Sequence, residues 1–247
     1  MVGQLSLVTA LFLLTSACAT KVDGLQVSDS FQPSTLKSGA LVTGGVVDTK
    51  AGVKREDSNT YSALMLSEIK DEREYVSVKP VETLIQALGD STYNIVLNQY
   101  SKSGLDGNTL GQIAEKLPGV RFVALAKIEG DTTEKGENRQ AASETKNDDG
   151  KVIKTPASVT KTHKRTVLAS MHIYDLKNRD VAFSGQVSKS KETSRNYTIN
   201  TVGNVLSVVN AIQGKDDDAT YPTPEAPSTR DVLAEVFEGF AENFPKE

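Results

Sequence analysis

Three short apolar runs constrain this chain more than anything else in it: residues 121–128 (RFVALAKI), 166–176 (TVLASMHIYDL) and 180–187 (DVAFSGQV). In the first, Phe122, Ala124, Ala126 and Ile128 alternate with Val123, Leu125 and Lys127. Both sides are apolar near the centre, which predicts a strand covered on both faces. In the second, Val167, Ala169, Met171 and Ile173 alternate with Leu168, Ser170, His172 and Tyr174. The third puts Val181, Phe183 and Val187 on one face and Ala182, Ser184 and Gln186 on the other. The residues between the last two runs are few enough for a hairpin, with Asn178 expected to take up the left-handed backbone of its turn. Together the runs predict the middle of one sheet. A register slip of one residue would carry Phe183 to the opposite face, so the pleat fixes the pairing.

The residues before this sheet read as an opening strand followed by helices. Residues 39–48 (GALVTGGVVD) form the strand, and Gly44 and Gly45 predict a kink or bulge in it. Neither a Gly-Lys-Ser/Thr sequence nor a third glycine at dinucleotide-binding spacing follows, so no phosphate loop is expected. Tyr61, Leu64, Met65 and Ile69 have helical spacing, with Asp57 or Ser58 as the expected cap. Residues 75–78 read as a short strand, and Pro80 is placed to occupy the first position of a helix striped by Val81, Leu84, Ile85 and Leu88 and ended by Gly89. Two more stripes follow: Tyr93, Val96, Leu97 and Tyr100, then Leu110, Ile113, Ala114 and Leu117. Strands joined through helices tend to be parallel and hairpin strands are antiparallel. The expected fold is therefore α/β (α+β), a mixed β-sheet with helices packed on it.

The remaining stretches are polar. Residues 129–164 are dominated by charged and small polar side chains and read for the most part as a mobile loop between sheet strands, the alternative being a long arm that touches a partner or extended strands that assemble with other copies. They lack the lipid-facing apolar alternation of a membrane hairpin, so no pore role is expected of them. Residues 188–200 are polar again. Val202, Val205, Leu206 and Val209 predict a short helix over 201–213. Asp216, Asp217 and Asp218 lack the spacing of a calcium loop and read as a solvated turn. A proline-rich linker (YPTPEAPST) leads to Ser228, the expected cap of a last helix with Asp231 three residues on. Leu233, Val236, Phe237, Phe240 and Phe244 give that helix an apolar stripe fit to dock on the sheet, with another copy of the chain as the alternative.

The chain has 247 residues, a net charge of −4 and a single cysteine. No concentrated basic face points to nucleic acid, and no intrachain disulfide can form. The apolar run at residues 5–14 is too short to span a bilayer, which takes about 20 helical residues, and it has the length of a signal-peptide core. It ends in LLTSAC, which resembles a bacterial lipobox. That resemblance implies cleavage between Ala17 and Cys18, diacylglycerol on the Cys18 sulfur and a further acyl chain on its amine. Ala19 in place of Asp favours the outer membrane. An ordinary secretory peptide and an uncleaved anchor are the alternatives. The resulting division is a signal peptide (1–17), a lipidated flexible tether (18–37) and a mixed domain (38–193) with a disordered-like insertion at 131–163. A short helix and linker (194–229) and a C-terminal amphipathic helix (230–247) complete it.

Reaction chemistry does not emerge. His163 falls in the polar stretch, and His172 reads as a structural histidine sharing a strand face with Leu168 and Tyr174. No Ser-His-Asp context, zinc spacing or paired carboxylates stand out. No catalytic residue, metal or other cofactor is expected, and no small-molecule substrate or nucleic acid.

The lipobox, the opening strand GALVTGGVV, the strand RFVALAKIE and above all the hairpin TVLASMHIYDLKNRDVAFSG carry a resemblance. They resemble envelope lipoproteins related to the curli-export channel subunit and to the lipoprotein activator of penicillin-binding proteins, whose fold is like an anticodon-binding or TolB N-terminal domain. The family pattern of YDL, a turn and VWSG corresponds here to Tyr174-Asp175-Leu176 and residues 181–185, with Phe183 where Trp is usual. The resemblance covers roughly residues 38–190. It implies a periplasm-facing lipoprotein that works as a non-catalytic binding or assembly module, held to the membrane by its lipid. An envelope protein or a second copy of itself would be its partner. A subunit of a secretion channel or ring is the alternative, and an envelope hydrolase is a second.

Overall fold

The computed structural model describes residues 20–50, 55–199 and 220–247. Ala17 and Cys18, the helix expected over 201–213 and the Asp216–Asp218 turn lie outside the described residues. The main sheet has six strands in the order β1-β8-β7-β4-β2-β3. They are β1 (Asp23–Val27), β2 (Ala40–Asp48), β3 (Val78–Lys79), β4 (Val120–Gln140), β7 (Ser158–Asp175) and β8 (Asp180–Thr198). β2 runs parallel to both β3 and β4, while the β4–β7, β7–β8 and β1–β8 pairs are antiparallel. The sheet is mixed, as the helix-linked and hairpin-linked connections require. A second small sheet pairs β5 (Ser143–Lys146) with β6 (Val152–Thr155).

Helices cover both faces. On one lie α1 (Pro33–Ser38), α2 (Arg55–Glu72) and the C-terminal α6 (Thr229–Glu242). On the other lie α3 (Val81–Leu88), α4 (Asp90–Ser103) and α5 (Gly107–Lys116). The pleat sorts the central strands between two cores. Phe122, Ala124, Ala126, Ala169, Met171 and Ile173 join the first, with α6 residues Val236, Phe237 and Phe240; Val123, Leu125 and Tyr174 join the second, with Tyr93, Leu97 and Ile113. The alternation in residues 121–128 and 167–174 thus maps onto the layers.

At Gly44-Gly45 the register against β4 shifts, giving the expected bulge. Gly45 has φ 138°, and a Cβ there would lie 2.8 Å from Leu97 Cδ2. The backbone meets α4 too closely for any side chain. Ser58, expected as a cap, sits inside α2 instead, where its hydroxyl accepts from the Val46 N–H at 3.1 Å beside this bulge. Pro80 is the N-cap of α3 rather than its first residue, and the strand expected at 75–78 is shifted to Val78–Lys79. Ser228 does cap α6, accepting from the Asp231 N–H at 3.2 Å.

Two polar stretches are ordered. The expected flexible tether, where described, contains β1 and most of α1 instead. Phe31 between them is fully buried against Phe122, Phe183 and Phe244, with ring centroids 5.4, 5.6 and 5.2 Å away. Val22 and Leu36 join the same core and β1 pairs with β8, so the segment is held by buried anchors and backbone pairing together. The insertion at 131–163 is not a loop: β4 and β7 continue through it, pairing from Phe122↔Asp175 to Gln140↔Ser158, and β8 runs beside them to Thr198. The cause is cross-strand pairing of β-branched and hydroxylated residues, which needs no apolar face.

The β7–β8 hairpin departs from the expected turn. Arg179, not Asn178, has the positive φ, 59°. Asp175 organises this turn. Its Oδ1 accepts from the Lys177 N–H at 2.9 Å and its Oδ2 pairs with Arg121 at 3.0 Å, while the carboxylate itself is fully buried. Burial pushes its carboxyl up, but Arg121, Ser30 and the Lys177 N–H outweigh that and hold it below the usual carboxylate range. A bulge follows, since Tyr174 pairs with Val181 but Ile173 pairs with Phe183. Ala182 is the extra residue. It is therefore buried, and Val181, expected in the core beside Phe183, is 41% exposed.

Candidate functional site

Beyond Ile128 the three central strands leave the helical layers and form an arm. Twelve residues of β4 lie in it, roughly 35 Å at strand rise. At its end the β5–β6 hairpin carries Val152 and Ile153, 43% and 49% exposed. Asn147 sets that hairpin's turn by accepting from the Lys151 N–H at 2.8 Å.

A strap, residues 220–228, crosses one face of the arm. The Tyr197 hydroxyl donates to the Pro222 carbonyl at 2.6 Å, and the Thr193 hydroxyl donates to that of Glu225 at 2.6 Å. His163 Nδ1 lies 2.9 Å from the Pro224 carbonyl, so this nitrogen carries the proton. Tyr221 packs on Tyr197 at 5.5 Å, and Val159 is fully buried. Where the strap enters α6, Arg165 pairs with Asp131 at 2.7 Å, and Thr229 donates to the same carboxylate at 2.7 Å while meeting Arg165. His163, expected in a mobile loop, is thus fixed in a strand.

The arm's two edges differ in charge. Among the described residues, no strand pairs with the outer edge of β4 past Ile128, nor with that of β8 past Gln186. From 129 to 140, β4 has four acids (Glu129, Asp131, Glu134, Glu137) against Lys135 and Arg139. From 188 to 198, β8 has Lys189, Lys191 and Arg195 against Glu192.

At the root of the arm, on the opposite face, is a shallow pocket of about 310 Å³ lined by Asp23, Glu129, Ser170, His172, Ser184 and Gln186 among others. His172 Nδ1 lies 3.1 Å from the Tyr100 hydroxyl, which donates to the Leu125 carbonyl at 3.0 Å. The hydroxyl has one proton, so Nδ1–H donates to its oxygen and Nε2 is left as an acceptor. Burial lowers the His172 pKa, and Lys127 lowers it further against the pull of Glu129. Burial drives the Tyr100 hydroxyl well above its ordinary range. Ser170 donates to Glu129 Oε1 at 2.8 Å. Its proton goes to the carboxylate, so Ser170 and His172 do not form a nucleophile–base couple. The expected structural role of His172 fits this geometry. The pocket itself is not legible in the sequence, because its residues come from four strands and look like ordinary polar positions. Among the described residues no cluster of His, Cys, Asp or Glu is placed to hold a metal ion, and no helix is long and apolar enough to cross a membrane.

No protein-family model matches the chain, and no curated protein matches it. Several solved structures do. A PelC dodecamer from Paraburkholderia phytofirmans aligns at 7% identity and a TM-score of 0.37, covering 87% of this chain and 94% of that one. The LpoB C-terminal domain from Salmonella enterica aligns at 11% identity and 0.33, covering 62% and 82%. The lipoprotein GNA1162 from Neisseria meningitidis aligns at 13% identity and 0.31, covering 72% and 99%. At TM-scores below 0.4 these are likenesses of outline, and what those proteins bind or assemble into stays with them.

Proposed function

We propose that this chain is a lipid-anchored protein of the bacterial envelope, facing the periplasm from the outer membrane, that acts by contact and not by catalysis. The observation that carries the reading is the arm. A ribbon of three strands projects from a packed domain with two unpaired edges and exposed Val152 and Ile153 at its end. Open backbone edges are templates for strand addition by another protein. The Ser170 proton bound to Glu129 supports a binding role over a hydrolytic one. The lipobox-like LLTSAC supports acylation at Cys18 after removal of residues 1–17.

The opposed edge charges favour a second reading in which the partner is another copy. An acidic β4 edge suits a basic β8 edge, and such a head-to-tail contact builds rings or open chains. Photo-crosslinking amino acids at Thr132 and Ser194, in cells, test both. Capture of an envelope protein, lost when the arm is removed, supports the binding reading; a Thr132-to-Ser194 adduct between two copies supports the second. Capture at neither position overturns the role given to the arm. An alkyne fatty acid that labels wild type but not Cys18→Ala tests the anchor.

A further inference from the structure

We infer that the domain is mounted on its lipid without slack, so that the surface around Thr20 and the C-terminal end of α6 lies against the headgroups of the bilayer. The inference rests on the acylation of Cys18 proposed above and adds which face meets the lipid surface.

Thr20 is the first described residue and stands two positions after Cys18. Two residues of chain reach about 7 Å at most. The end of that reach is fixed. The Thr20 N–H donates to Glu242 Oε2 at 2.9 Å, its carbonyl accepts from Asn243 Nδ2 at 2.8 Å, and its hydroxyl oxygen accepts from Lys189 Nζ at 2.7 Å. Its methyl sits in a notch at Gly239, where a Cβ would lie 2.7 Å away. Asn243 Nδ2 also donates to the Gly239 carbonyl at 2.8 Å, which holds the amide in place. Burial raises the Glu242 carboxyl, but hydrogen bonds from Thr20, with Lys189 and Arg73 nearby, bring it below its ordinary range. The carboxylate is therefore charged at neutral pH. Val22 then enters the first core, and β1 pairs with β8.

Domain termini ordinarily fray. Here three polar contacts from two separate elements converge on one residue next to the attachment point. A flexible tether over residues 20–37 would let the domain wander by about 20–25 Å; the seated Thr20 confines it to the reach of two residues. The bilayer must then lie beside α6, and α5, in the opposite helical layer, must face away from it.

The test uses the full-length acylated protein in phosphatidylethanolamine–phosphatidylglycerol vesicles containing a quencher lipid. A fluorophore is placed at Glu238→Cys on the exposed side of α6 or at Asn108→Cys in α5. Quenching several-fold stronger at 238 than at 108 is expected, and a ten-residue Gly-Ser insertion between Ala19 and Thr20 should bring the two towards equality. Equal quenching at both sites without the insertion, with mass spectrometry confirming acylated Cys18, overturns the mount. An unacylated Cys18 overturns the lipid reading, and the mount falls with it. Amide exchange of protein lacking residues 1–18 reads the clamp without any lipid. The Thr20 amide should be slowed about tenfold or more relative to Glu242→Ala; no difference overturns the clamp.

Discussion

From Val120 to Ile128, β4 lies between two helical layers. From Glu129 to Gln140 the same strand lies in an arm crossed on one face by a nine-residue strap. β7 and β8 divide in the same way. In the packed half, Phe122, Val123, Leu125 and Met171 are fully buried; in the arm, Val159 is the one fully buried apolar side chain of β7 before Val167. The hydrogen-bonded ladder runs through both halves, with one register shift between Ile128 and Gly130 where they meet, so what changes is chiefly the source of stability. The packed half draws on apolar burial. The arm draws on its backbone ladder, on pairs such as Lys161–Glu137 at 2.6 Å and on the strap.

The comparison breaks first at Phe183. Its ring meets Phe31, Phe240 and Phe244 at 5.6, 6.5 and 5.1 Å, joining the N-terminal segment, the sheet and the last helix. Phe183→Ala should cost about 3–5 kcal/mol in urea unfolding. A loss below about 1 kcal/mol would show that the packed half does not hold the fold together. Asp175→Ala comes next, because it strands Arg121 and frees the Lys177 N–H at the hairpin turn. The expected loss is about 2–3 kcal/mol, less than for a fully buried pair because Arg121 reaches water.

The arm supplies the contrast. Replacing residues 135–163 by Asn-Gly joins Glu134 to Lys164, which face each other across the ladder, through a two-residue turn. The Arg165–Asp131–Thr229 contact at the root is kept. The shortened protein should keep its far-UV spectrum per residue of packed domain and lose only about 1 kcal/mol. A loss near the Phe183→Ala value would place the arm in the cooperative core.

The same contrast explains what could be read in the sequence. The packed halves announce themselves, since Phe122 to Ile128 and Val167 to Tyr174 alternate in hydrophobicity at the strand period. The α6 stripe does so at the helix period, and Ser228 and Gly44-Gly45 mark a cap and a bulge. The arm has no such signal. Thr160, Thr162, Ser190 and Ser194 have strand propensity without an apolar face, and a pattern method registers burial more readily than pairing. The segment before α1 was hidden for a different reason. Its order comes from partners far along the chain: the Phe31 ring meets Phe122 and Phe244, 91 and 213 positions away, Val22 joins the same core and β1 pairs with β8. The bulge at Ala182 escaped because a period-two reading assumes an unbroken pleat. The pocket at the arm's root escaped because its polar residues have meaning only once β1, β4, β7 and β8 are side by side.

That pocket gives the smallest effect, and it tests where packed and open halves meet. His172 is half-buried beneath Tyr100 and Tyr174 and its pKa is lowered by burial, then by Lys127. In the unfolded chain a histidine titrates near 6.5. Above that pH the ring is neutral in both states and contributes no pH dependence. As pH falls through about 6.5 the unfolded chain takes up the proton first. The folded state then binds fewer protons, and stability declines until the folded group titrates as well. Wild type should therefore lose more stability than His172→Gln between pH 7.5 and 5.5, read as a steeper fall in urea midpoint. Glutamine keeps a donor for the Tyr100 oxygen and cannot titrate. His163, whose Nδ1–H is used by the strap, is present in both proteins and cancels. Equal pH slopes would mean that water reaches His172 as freely as it reaches the arm, and the boundary between the two halves would lie deeper in the sheet than Glu129.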